Sequence, residues 1–86
     1  MPFFVYMLLS KVKNRHISYV GYTKNLNDRL SLHNRSKGAK FTKGKHWKII
    51  YSKKYLTKSI AMKKEFELKI NRKLRNKIKY NFLEKK

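Results

Sequence analysis

Phe3-Phe4-Val5-Tyr6-Met7-Leu8-Leu9 is almost wholly apolar, and after the polar stretch Lys11-Val12-Lys13-Asn14-Arg15-His16 the run Ile17-Ser18-Tyr19-Val20-Gly21-Tyr22 resumes β-branched and aromatic character. Side chains in a strand alternate between faces, so Val5, Met7 and Leu9 share one face and Phe4, Tyr6 and Leu8 the other. Both faces are apolar, the pattern of a strand covered on each side. The order predicts a β-hairpin, with its turn in the polar stretch from Lys11 to His16, in a sheet that carries helices on both faces. Gly21 leaves the backbone of the second strand open to close approach by another chain segment or by a ligand.

Downstream of the hairpin, Asn25 is placed to cap a helix that runs to about Asn34, with Asp28 completing an acidic variant of the capping box. Leu26, Arg29, Leu30 and His33 fall at i, i+3, i+4 and i+7, so two polar groups share the leucine side of that helix. Residues 35–46 hold two of the three glycines and a series of lysines, and read as a basic loop. Trp47 to Tyr55 supplies a third strand in which Trp47, Ile49 and Tyr51 alternate. Thr57 or Ser59 caps a second helix through about Ile70, and a third runs from about Arg72 to Leu83 with Leu74, Ile78 and Phe82 inward. On the second helix Leu68, Ala61, Met62 and Phe66 spread over an arc of about 160°, with Glu65 near its centre and Glu67 outside it with Lys63. A lone inward carboxylate is costly unless a cation meets it, and Arg29 or a metal ion is the expected cation. The fold expected is α+β, a three-stranded antiparallel sheet flanked by helices, as one domain over residues 1–86. No repeat, low-complexity run or linker divides the chain.

The 86 residues carry 24 Lys and Arg against 4 Asp and Glu, a formal charge of +20. Six tyrosines, five phenylalanines and one tryptophan exclude a disordered basic tail. With no cysteine, disulfides and thiolate zinc sites are excluded, and His16, His33 and His46 are too scattered for a zinc cluster. The apolar start lacks the basic segment and the small-residue cleavage site of a signal peptide, and falls short of the ~20 apolar residues of a membrane span. A cytoplasmic location is expected. So much positive charge on so small a body calls for a polyanion, with nucleic acid ahead of a membrane surface because no helix segregates its lysines from a broad apolar face.

Tyr6 and Tyr19 on the hairpin, Arg29 and His33 on the first helix and Glu65 on the second match the needs of phosphodiester hydrolysis. That reaction takes a proton from water, sets a cation against the charge developing on phosphorus and uses a metal on the attacking or leaving oxygen. At these residues the sequence resembles the GIY-YIG endonuclease superfamily, named for two tripeptides on a hairpin. Phe4-Val5-Tyr6 stands at the first tripeptide and Tyr19-Val20-Gly21 at the second. Asn25-Leu26-Asn27-Asp28-Arg29-Leu30 with His33-Asn34 resembles its arginine helix. Gly38-Ala39-Lys40-Phe41-Thr42, Trp47 and Ala61-Met62-Lys63-Lys64-Glu65-Phe66 continue the likeness into its glutamate helix. The branch it is most similar to is the small single-domain group related to structure-specific endonucleases and, more distantly, to the excision-repair nuclease's N-terminal domain.

The resemblance implies a metal-dependent endonuclease acting on DNA, branched or flap DNA included, with one divalent cation, Mg²⁺ or Mn²⁺, held by Glu65. It implies that Tyr6 and Tyr19 line the site, with Tyr19 as general base, that Arg29 stabilises the transition state, and that His33 hydrogen-bonds a tyrosine or the nucleophilic water. A phenol of ordinary pKa is only about 0.1% ionised at pH 7, so nearby cations must favour its anion. Phe4 replaces the glycine of the first tripeptide, and valine stands for isoleucine in both. Tyr22 stands where some members have a lysine whose phosphate contact Lys24 is placed to replace. Asn71 and Asn76 are the candidates for a site asparagine that several members carry. No organic cofactor and no membrane partner is expected; the sequence names no protein partner, and repair, recombination and mobile-element roles stay open. Related nucleases draw specificity from a further domain, for which the expected elements leave no length.

Read one at a time, the same residues have plainer roles: core aromatics, an Arg29 to Glu65 ion pair, a satisfied helix histidine. Their joint order and spacing favour the nuclease reading. The competing class is a catalytically silent nucleic-acid-binding module, and a basic protein of ribosome-associated type is a third. Lys24, Lys37, Lys40, Lys43, Lys45 and Lys69 are the expected phosphate contacts, because a merely soluble surface mixes signs. Lysine meets phosphate as a point charge and lacks the planar fork that reads guanine, so binding is expected to be strong and poor in sequence preference. With six to eight phosphate contacts, log K should fall against log salt with a slope of about −5 to −7, and replacing Lys40 and Lys43 together by Ala should reduce that slope by about 2. A salt titration of DNA binding checks this, and a slope unchanged in the double variant would move the binding surface elsewhere.

Overall fold

The computed structural model describes residues 2–85. Strand β1 (Phe3–Val12) turns back into β2 (Arg15–Thr23), helix α1 (Leu26–Asn34) follows, then a 3-10 turn (Lys40–Thr42), strand β3 (Lys48–Tyr55) and helices α2 (Lys58–Ile70) and α3 (Arg72–Glu84). The sheet is antiparallel in the order β2-β1-β3. The apolar strand is therefore central, and Val5 through Ser10 are all buried. No helix among the described residues is long and apolar enough to cross a membrane.

The two faces of β1 carry separate cores. Val5 and Met7 join Val20 of β2 and Ala61 and Leu68 of α2, with Ile78 of α3 packed alongside. Tyr6 and Leu8 join Trp47, beneath Leu26 and Leu30 of α1. Each helix starts where a short polar side chain accepts from the first turn: Asn25 Oδ1 from Asp28 N, Thr57 Oγ1 from Ile60 N and Asn71 Oδ1 from Leu74 N. Asn34 Oδ1 accepts from Trp47 N at 2.6 Å while Asn34 Nδ2 donates to Trp47 O at 3.2 Å, so the end of α1 is clamped to the start of β3.

Four sequence expectations need correction. The hairpin ladder continues to Val12 opposite Arg15, leaving only Lys13 and Asn14 as the turn, with Lys13 in the left-handed region at φ 57°. The expected turn from Lys11 to His16 is instead mostly strand, polar on both faces because it runs out beyond the cores. In β3 the register slips between Met7 opposite Tyr51 and Leu8 opposite Ile49, making Ile50 the extra residue of a bulge. Ile49 therefore packs with Trp47, whereas Tyr51 packs on the Val5 face rather than alternating with them.

On α2 the inward line is Ala61 and Leu68 with Glu65 between, whereas Met62 and Phe66 are 47% and 60% exposed. On α3, Ile78 packs on the core but Leu74 is 41% exposed. Helix α2 meets the sheet along a strip narrower than its apolar arc, because one small residue and one leucine set the contact. Trp47→Ala should cost about 3–5 kcal/mol, whereas Phe66→Ala should stay within about 0.5 kcal/mol. Urea unfolding of the two variants measures both.

Candidate active site

Tyr6 of β1 lies directly opposite Gly21 of β2, and on one face of a sheet opposed residues meet. A Cβ at position 21 would sit 2.6 Å from Tyr6 Cζ and closer still to its hydroxyl. The missing side chain is thus what lets the phenol cross β2, and the close approach open at Gly21 is taken by a segment of the same chain.

The Tyr6 hydroxyl lies 2.9 Å from His33 Nε2, and His33 Nδ1 lies 2.7 Å from Thr42 Oγ1. Thr42 Oγ1 donates to Ala39 O at 2.8 Å, so its one proton is committed and it accepts from His33. His33 is thereby protonated on Nδ1, its Nε2 accepts from Tyr6, and the phenol oxygen is free to accept from Arg29 Nε at 3.4 Å. Direction in this chain of four groups is set at the Ala39 carbonyl. Trp47 Nε1 anchors the turn by donating to Thr42 O at 3.0 Å. Gly38 makes room at the other end, since a Cβ there would lie 2.8 Å from His33 Cε1 and closer to Nδ1.

Electrostatics follow from this burial. Burial raises the Tyr6 phenol above its ordinary pKa against the opposing Arg29 hydrogen bond, which keeps it protonated at neutral pH. Burial, with the Arg29 charge, lowers His33 below its ordinary value and keeps it neutral. The Tyr6 hydrogen bond raises Arg29 further, so the guanidinium is a fixed cation.

Tyr6, Tyr19, Gly21, Tyr22, Arg29 and Glu65 line a cavity of about 360 Å³. Three of these lie on β2, with Arg29 reaching in from α1 and Glu65 from α2 on the opposite face, so the cavity opens at the β2 edge of the sheet. Tyr19 is held by its ring, centred 5.1 Å from His33 and stacked at 6.2 Å on Phe41 of the 3-10 turn. The Glu65 side chain is 17% exposed, and its Oε2 lies 3.6 Å from Lys69 Nζ one turn on. The cation that meets the inward carboxylate is therefore Lys69 rather than Arg29. Among the described residues no ion pair joins Arg29 to Glu65.

The structure thus brings five of the expected site residues together: Tyr6, Tyr19, Arg29 and Glu65 around the cavity, and His33 buried behind Tyr6. The expected phosphate contacts are more dispersed. Lys37, Lys40 and Lys43 are exposed along the loop. Lys45 Nζ donates to Phe41 O and lies 5.4 Å over the Phe41 ring, while Lys24 Nζ lies 5.6 Å over Phe3. Tyr22, rather than Lys24, lines the cavity. Asn71 is engaged as the α3 cap, and neither it nor Asn76 is among the lining residues. Sequence reasoning missed the roles of Gly38 and Thr42, although both stand in the Gly38 to Thr42 segment that carried part of the resemblance.

A model of the GIY-YIG catalytic domain matches residues 2–81. The chain belongs to the GIY-YIG catalytic domain family. The family is one of nucleases. Among relatives, a UPF0213 protein of Oceanobacillus iheyensis is 46% identical over 52 residues, covering 59% of this chain and 60% of the relative. A UPF0213 protein of Staphylococcus aureus is also 46% identical over 52 residues, covering 59% of this chain and 63% of the relative. The match thus spans about three-fifths of the curated relatives' length. No solved structure gives a significant match.

The GIY-YIG hairpin and its histidine make stability depend on pH with a definite sign. Because the folded pKa of His33 is lowered, the unfolded chain binds a proton below about pH 6.5 that the folded chain does not, and stability rises with pH across that window. Native protein should lose stability on acidification from about pH 6.5 to 5, above the range where carboxylates protonate. His33→Gln should flatten this component. Urea unfolding at stepped pH measures it, and an equal slope in the variant would mean His33 is charged in the folded state.

Proposed function

We propose that this GIY-YIG domain is a metal-dependent endonuclease that hydrolyses DNA phosphodiester bonds, choosing its substrate by structure rather than sequence. The observation that supports it best is the cavity in which Arg29, paired with no carboxylate among the described residues, shares the walls with three tyrosines and one carboxylate. A guanidinium held through Nε by Tyr6, with Tyr19 as a further hydrogen-bond partner, has more N–H donors than the two phenols take up, and a phosphodiester oxyanion is an acceptor for the rest.

Glu65 is the single carboxylate in the lining, and the described residues hold no cluster of three His, Cys, Asp or Glu. That donor set fits a hard divalent cation that keeps several waters and takes phosphate oxygens from the substrate, as Mg²⁺ and Mn²⁺ do. When bound, the cation supplies Lewis-acid polarisation of the phosphoryl group and stabilises charge on the leaving oxygen.

The chain's own residues divide the remaining work. Arg29 opposes the charge that develops on the equatorial oxygens, from a position fixed before substrate arrives. Tyr19, whose hydroxyl is not committed to His33, takes the proton of the attacking water as the new P–O bond forms and the bond to the leaving oxygen breaks. Tyr6 holds Arg29 while donating to His33, so both keep one orientation. Lys24, Lys37, Lys40, Lys43, Lys45 and Lys69 supply the phosphate contacts, and the sparsity of arginine favours backbone over base reading.

Labelled duplex, flap and branched DNA incubated with and without Mg²⁺ or Mn²⁺ test this directly. Wild-type protein should cut in the presence of metal and prefer a branched or flap form. Glu65→Gln should lose at least about 10²-fold in rate with binding retained, and Arg29→Ala should lose about 10²–10³-fold while keeping most of the salt slope. Cleavage by Glu65→Gln with the wild-type metal dependence would overturn the assignment. Tight binding without cleavage of any form would make the chain a silent binding module.

A further inference from the structure

Beside the main cavity, Ser18, Tyr19 and Val20 of β2, Lys69 of α2 and Arg75 of α3 line a smaller one of about 180 Å³. Arg75 is partly buried, and its Nε is buried with no hydrogen-bond partner among the described residues. Leaving such a donor unmet is costly, more so on a charged group, and an ordered water or an anion is what ordinarily meets it. The lining contains no carboxylate to neutralise it. Two cations and a serine hydroxyl lining one small space form a donor set for an oxyanion.

Location narrows the identity of that oxyanion. Tyr19 lines both cavities, so the two adjoin at that residue of β2. Lys69 lines the smaller cavity while its ammonium pairs with Glu65 of the larger. A ligand that fills both must carry oxyanions repeated along a chain, which is the character of a nucleic-acid strand. We propose that Ser18, Lys69 and Arg75 form a second phosphate subsite that binds a neighbouring phosphate of the strand whose phosphodiester occupies the main cavity. This rests on the nuclease reading and adds a residue, Arg75, that fixes the register of the strand. Its role is positioning, at a distance from the bond that breaks.

The test is DNA binding by wild-type protein without metal, read by anisotropy of a labelled flap duplex across salt concentrations. Arg75→Gln should bind roughly tenfold more weakly and flatten the salt slope by about 0.9, one phosphate contact. Arg75→Lys should recover most of the slope. Lys54→Gln, on β3 at the far edge of the sheet from β2, should leave it unchanged. The Nε–H signal of Arg75 in wild-type protein, followed by NMR, should shift on addition of the same DNA, which decides the matter even if Arg75→Gln fails to fold. An unmoved signal at saturating DNA, a wild-type slope in Arg75→Gln, or an equal loss in Lys54→Gln overturns the subsite while leaving the nuclease reading intact. No binding of any DNA by the wild-type protein overturns both.

Discussion

A buried phenol must give its proton to an acceptor, and in this fold one acceptor is provided and its direction is fixed from behind. The Thr42 hydroxyl spends its proton on the Ala39 carbonyl, which makes His33 a donor at Nδ1 and an acceptor at Nε2, which makes Tyr6 a donor to His33 and an acceptor from Arg29. Each bond on its own contributes about 1 kcal/mol, but each buried group left unmet costs about 1–3 kcal/mol. Reversing one proton would therefore leave two groups facing each other with like polarity. That asymmetry holds the chain in one state and delivers a guanidinium to the cavity in one orientation. Room for the chain comes from two absences, the side chains that Gly21 and Gly38 lack. The rest of the α1 face is arranged around it, with the Trp47 indole both filling the space beneath and tying down the turn that carries Thr42.

Charge is distributed with the same economy. A chain of net +20 has few carboxylates, and the two on α2 are used differently. Glu67 pairs on the surface with Lys64, where screening leaves the pair worth little. Glu65 faces the cavity and is met by Lys69, a flexible ammonium that can leave, while Arg29 is kept by a phenol rather than by a carboxylate. Had Arg29 paired with Glu65, each would have cancelled the other's field in the cavity. Separating them leaves a guanidinium and a carboxylate, each with its own field, within the same walls.

Much of this was legible in the residues. Apolar side chains on both faces of Phe3 to Leu9 require cover on both sides, and a central strand with α1 on one face and α2 and α3 on the other satisfies that. Asn25, Thr57 and the i, i+3, i+4, i+7 placing of Arg29 and His33 are local rules that tertiary contacts do not override. What escaped was set by contacts distant in sequence. The bulge at Ile50 depends on how β3 meets β1, so the alternation of Trp47, Ile49 and Tyr51 could not reveal the flip. Met62 and Phe66 belong to a genuine apolar arc, but the area of sheet available to α2 decides how much of it is covered. Gly38 and Thr42 sat in a stretch whose lysines dominate its composition, and a glycine that clears space for an imidazole has the same sequence appearance as a glycine in a turn.

The position of Glu65 shows how the packing and the chemistry are joined. Ala61 is fully buried against the sheet, and its small side chain lets α2 lie close to the strands. Glu65 follows at i+4 and Leu68 at i+7, so all three project from the same side of the helix. Leu68 is anchored in the core with Val20 of β2, which fixes the rotation of α2 about its axis. With the helix close and its rotation set, a side chain between these two anchors reaches the sheet at β2, where the Tyr6 phenol crosses Gly21. A carboxylate at that point meets the cavity from the opposite side to Arg29, although the two residues lie on helices separated by the whole thickness of the sheet. The edge strand is what makes this meeting possible, because only at an edge can groups from both faces converge on one space.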